Sequence, residues 1–73
     1  MPVTTVRSIN KMIQEMMRYG RSVYVTHPFR HGEMLRIGRA RSKRNIGCAV
    51  IEVQSIASGN WFTVESWMKF EDR

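Results

Sequence analysis

Arg36, Arg39, Arg41, Lys43 and Arg44 put five cations into nine residues, and no acid interrupts them. Like charges held this close repel one another and draw counterions, so a fold keeps them where an anionic partner or water neutralises them. Guanidinium groups add a planar fork of donors that meets phosphate or carboxylate with two bonds, and a flat face that stacks on rings. The chemistry on offer is recognition of an anion. Nine of the twelve basic residues are arginine and the net charge is +6, so the preference extends beyond this segment.

Other residues offer weaker chemistry. Trp61, Phe62, Trp67 and Phe70 fall within ten residues. Exposed rings beside arginines stack nucleic-acid bases. A chain with few other large residues is expected instead to bury Phe62 and Phe70 with Val64, and to lay Trp61 over a sheet edge. His27-Pro-Phe-Arg-His31 has the four-residue histidine spacing that ligates zinc from a helix, but Pro28 denies the helix and no third ligand is evident. In that loop Phe29 is a candidate anchor for a partner's pocket with Arg30 at its rim, unless Phe29 folds inward. Arg7 and Lys11, with Gln14 and Arg18, form a second basic strip. Cys48 is the single cysteine, which excludes a disulfide within the chain and reads as a small buried apolar residue. The six acids are scattered, and a domain this small has little room for a cleft. No enzyme, cofactor, metal or small-molecule substrate is therefore expected.

These side chains need a scaffold. Val6, Ile9, Met12, Ile13, Met16, Met17 and Tyr19 lie within roughly 160° of a 3.6-residue helix, which predicts a helix from Val6 to Tyr19. Thr5 or Ser8 is its cap, Met1 a further methionine just before it, and Gly20 its end. The period then changes to two. Strands are expected at Ser22 to Thr26, Met34 to Arg41, Cys48 to Ile56 and Trp61 to Glu65, with Ser66 to Phe70 open between a helical turn and a last strand. The turn between the second and third strands is expected at Ser42-Lys-Arg-Asn45, making Arg41 to Asn45 the tip of a basic hairpin. Short connections exclude parallel strands. The expectation is an α+β domain in which the N-terminal amphipathic helix covers a three- to four-stranded antiparallel meander. The alternative is a small SH3-like β-barrel with the helix appended.

Seventy-three residues, 42% hydrophobic, make a single small globular domain spanning residues 1–73. No apolar run reaches the length of a membrane span, and Met1 to Thr5 lacks the pattern of a secretory leader. The cytoplasm is the expected location.

In size, arginine-rich balance and helix-then-sheet order, the chain resembles the very small transcription regulators made by lytic bacteriophages, those of Xanthomonas phages in particular. That resemblance implies a host bacterial RNA polymerase as partner, at the N-terminal region of β′ with the β flap as a second contact. It further implies inhibition of initiation and promotion of antitermination. Phe29, Trp61 or Trp67 would be the apolar anchor and the basic residues the charged contacts. Two alternatives stand beside it: direct DNA or RNA binding through the basic hairpin, and inhibition of another host or defence complex.

Overall fold

The computed structural model describes residues 5–30 and 32–73. The first periodic segment forms helix α1, Val6–Arg18. Thr5 caps it reciprocally: its hydroxyl accepts from the Ser8 N–H at 3.0 Å, and the Ser8 hydroxyl accepts from the Thr5 N–H at 2.9 Å. Gly20, at φ +71°, carries the chain away. Ile9 and Ile13 are buried, with Val6, Met12 and Met16 half-buried beside them. Met17 and Tyr19, expected on the buried arc, are exposed because that arc narrows toward the helix end. Met1 lies outside the described residues.

Five strands follow: β1 Val23–Thr26, β2 Met34–Asn45, β3 Cys48–Ser55, β4 Trp61–Thr63 and β5 Phe70–Asp72. All pair antiparallel in the order β4-β3-β2-β1-β5. The α+β expectation holds, with one strand more than expected. Phe70–Asp72 leaves the meander and returns to the far edge of β1, where Phe70 pairs with Val25. The docking is anchored by Thr26, whose N–H donates to the Lys69 carbonyl at 3.0 Å and whose hydroxyl accepts from the Lys69 N–H at 2.9 Å.

Only Val64 to Lys69 join the two edge strands. In a flat sheet those edges would lie about 19 Å apart, at about 4.8 Å per strand. The link also turns on itself, with the Met68 N–H donating to the Glu65 carbonyl at 3.1 Å. The sheet therefore curls. Its curl brings the His27 ring, at the end of β1, to 6.1 Å from the Phe62 ring on β4, although two strands separate them in order. No ladder joins β4 to β5 among the described residues, so the sheet stays open. Ile9, Ile13, Val23, Val25, Ile37, Ala40, Val53 and Met68 form the core. Among the described residues no helix is long and apolar enough to cross a membrane.

β2 positions most of the candidate residues. Its register shifts between Ile37 and Arg39, leaving Gly38 as the extra residue of a bulge. One inserted residue inverts the alternation, so Leu35 and Ile37 face the core before it and Ala40 after it. Past the bulge β2 has outrun β1, and helix α1 covers the vacated edge. The Asn10 side-chain amide donates to the Ala40 carbonyl at 3.0 Å and accepts from the Ala40 N–H at 2.9 Å. Beyond Arg41 neither β1 nor β4 pairs with the rows, although the Val64 N–H just past β4 still donates to the Ile51 carbonyl at 2.8 Å, which leaves the rows from Lys43↔Val50 to Asn45↔Cys48. These rows form a two-stranded ribbon reaching about 10 Å, at about 3.3 Å per residue.

The ribbon turns at Ile46 and Gly47, not at Ser42 to Asn45, which are strand. Both turn residues have positive φ, +45° and +75°. That is the backbone of the type I′ turn, whose twist matches that of the flanking strands. Isoleucine is a poor occupant: an L-residue held left-handed costs about 1–2 kcal/mol, and a branched Cβ makes the position an outlier.

Candidate functional site

Adjacent strand residues point to opposite faces. Arg39, Arg41 and Lys43 therefore share one face of the β2–β3 ribbon and its base, while Arg44 lies on the other, with Ser42. Arg36, paired with Tyr24, points away from Leu35 and Ile37. All five cations are exposed. Among the described residues, Arg36, Arg39, Lys43 and Arg44 enter no ion pair.

Arg41 is different. Its Nε donates to Glu52 Oε1 at 2.9 Å, its Nη2 lies 2.9 Å from the same oxygen as an ion pair, and its guanidinium lies 4.0 Å from the centre of the Trp61 ring. The register explains this: Glu52 sits between Arg41 and Thr63 on neighbouring strands, and Gln54 beside it pairs with Trp61. A nearly buried carboxylate requires a partner, and Arg41 supplies it. The other acid partners bind arginines elsewhere: Asp72 with Arg21, Glu33 with Arg30, and Glu71 with Arg73. The Glu71 hydrogen bond, then its charge, raises the Arg73 pKa further. Among the described residues, four of the five cations in the run are left without a carboxylate partner.

The β1–β2 loop projects Phe29, which is 81% exposed and so does not fold inward. His27 organises this loop, its Nδ1 accepting the N–H groups of Phe29 and Arg30 at 3.0 Å each. Arg30 also reaches Glu33 at 3.6 Å across exposed surface. His31, the other histidine of the weighed zinc spacing, lies outside the described residues. Among the described residues no group of three or more His, Cys, Asp and Glu side chains clusters as metal ligands would.

Phe29, Trp61 and Trp67 come together. With Pro28, Phe62 and Glu65 they line a cleft of about 720 Å³. Trp67 is half exposed, Trp61 is half-buried, and Trp61 is also the ring that carries Arg41. The aromatic cleft and the cationic face are therefore contiguous through one side chain. Arg7 and Lys11 are exposed on α1 within one turn of Asn10, the residue that ties the helix to the ribbon base at Ala40.

The chain matches no family model, no curated protein and no solved structure.

Three features escape the reading of the residues alone. Asn10 bonding to a strand edge has no periodic signature. Arg41 pairing with Glu52 depends on register. Ile46, 95% exposed at the apex, is announced only by the glycine that follows it. Cys48, expected in the core, is exposed because it stands on the ribbon, where no other element covers it.

Proposed function

We propose that this protein is a non-enzymatic, nucleic-acid-binding regulator whose β2–β3 ribbon enters a groove of a duplex. One observation carries this reading: Lys43 and Arg44, neither with a carboxylate partner among the described residues, project from opposite faces of a two-stranded ribbon beyond the last rows that β1 and β4 pair with. A flat acidic protein surface would neutralise one face and leave the other cation unmatched. A groove has phosphates along both walls, and β-ribbons are seated in the major or the minor groove of duplex DNA. Arg36 and Arg39 lengthen the cationic track on the sheet face, and Trp61 adds a ring surface at its margin. The geometry thus favours direct nucleic-acid contact over the protein partner that the phage-regulator resemblance implies.

The test is a salt titration of binding to a labelled 20-base-pair duplex, followed by fluorescence anisotropy. Four phosphate contacts, by Arg36, Arg39, Lys43 and Arg44, give a log–log slope of about −3.6, at about −0.9 per contact. Lys43→Glu with Arg44→Glu reduces the slope to about −1.8 and weakens binding, with an unchanged circular dichroism spectrum. A slope near zero, or no binding at low salt, removes the reading.

A second reading, docking on a bacterial RNA polymerase to inhibit initiation and promote antitermination, is favoured by the aromatic cleft. Phe29 and Trp67 there offer exposed apolar anchors, which charge alone does not provide. A pull-down from bacterial lysate that recovers β′ and β, and loses both with Phe29→Ala and Trp67→Ala, supports it. Recovery of a nuclease or surveillance complex instead points to inhibition of a defence system. Every one of these partners is cytoplasmic, and so is the proposed site of action.

A further inference from the structure

We infer that Ile46 is a wedge: with the ribbon seated in a duplex groove, its side chain enters between two base pairs and kinks the nucleic acid. The inference rests on the nucleic-acid reading above and adds a mechanical action to it.

Four observations converge on this residue. Ile46 is the apex of the ribbon and is 95% exposed, so its side chain contributes almost nothing to this chain's own packing. Its backbone is left-handed, φ +45°, where glycine or asparagine would sit without the penalty of a branched Cβ. A turn selected for folding alone has no use for isoleucine there, and strain of this kind collects where a residue acts on a partner. Lys43 and Arg44 flank the apex on opposite faces, placed to hold the two phosphate backbones on either side of an inserted group. Finally, isoleucine is stiff about χ1, so the wedge does not fold aside when pushed against a stacked base step.

Proteins that sit in the minor groove frequently insert apolar side chains between base steps, unstacking and kinking the duplex by about 20–90°. A lipid surface fits the tip less well. The large aromatic side chains that bury in a membrane interface lie by β4 and the β1–β2 loop, in the cleft of Phe29, Trp61 and Trp67, and not beside the apex.

The experiment uses the full chain and a 20-base-pair duplex carrying a donor and an acceptor dye at its two ends, with and without a central mismatch. A mismatched step is already partly unstacked and resists insertion less. The wild-type chain is expected to raise energy transfer, and to prefer the mismatched duplex by about tenfold. Ile46→Asn, which suits the turn, is expected to bind the matched duplex within about threefold of wild type, to leave energy transfer at the free-duplex value, and to lose the mismatch preference. Binding without any rise in energy transfer, or an equal rise with Ile46→Asn, overturns the wedge and leaves the nucleic-acid reading standing. Absence of binding by the wild-type chain overturns both. Vesicles of phosphatidylglycerol and phosphatidylcholine form the last arm: Ile46-dependent binding to them, with no Ile46 effect on DNA, assigns the tip to a lipid surface instead.

Discussion

Glu52 leaves only 11% of its side chain open to solvent, and both nitrogen contacts from Arg41 converge on one of its oxygens. Removing Arg41 strands that carboxylate in a partly dry site. Arg41→Met is therefore expected to destabilise the domain by about 1–3 kcal/mol, equivalent to a drop of about 4–8 °C in Tm per kcal/mol for a chain of this size. Adding Glu52→Gln should recover part of the loss, because a neutral amide tolerates the site better. A thermal melt of the single and double variants checks this, and additive losses would contradict it. Arg41 thus cannot be read as one more member of an exposed turn, and charge reversal there would confound folding with binding. Lys43 and Arg44 are the cleaner probes. The cationic run itself was legible from residue types alone. Which of its members the fold consumes was not, since Arg41 and Glu52 lie eleven positions apart and meet only through strand register.

At the scale of elements, helix α1 both packs on the sheet and completes its edge. Asn10 meets the donor and the acceptor of Ala40 where β1 has run out. Asn10→Leu leaves that N–H and C=O partly buried and unpaired, and is expected to cost about 1–3 kcal/mol, read as a lower urea midpoint with an unchanged m-value. Asn10→Asp keeps only the acceptor and should fall between Asn10→Leu and the wild type. The helix was evident from its 3.6-residue period, and its cap from Thr5. The edge contact was not, because asparagine inside a helix reads merely as a weak helix former. The bulge at Gly38 hid the extent of β2 in the same way, by switching which parity of residue faces the core. The misplaced turn has a plain cause too. Ser42 to Asn45 is polar and carries no glycine, whereas the true turn couples Gly47 to a β-branched residue that propensity argues against.

Across the molecule, eight buried apolar residues drawn from the helix, three strands and the β4–β5 link supply nearly all of the interior. A domain this small keeps little stability in reserve. Ile13→Asp sets an unpaired charge at a position 4% exposed, against a penalty of several kcal/mol, and is expected to abolish cooperative melting at neutral pH. A retained sharp transition would mean that the helix is dispensable. The two-layer plan was readable because helix and strand periods are local. The path of β5 was not, since a three-residue strand carries almost no pattern and its partner on β1 lies some 45 residues earlier. Cys48, finally, stands on the exposed ribbon two positions after Ile46, and no second thiol exists in the chain. A maleimide dye will therefore attach at one place, beside the tip, with no engineered substitution. The same accessibility lets air-oxidised stocks link two chains head to head, so fresh reductant belongs in every buffer used to weigh this protein against a partner.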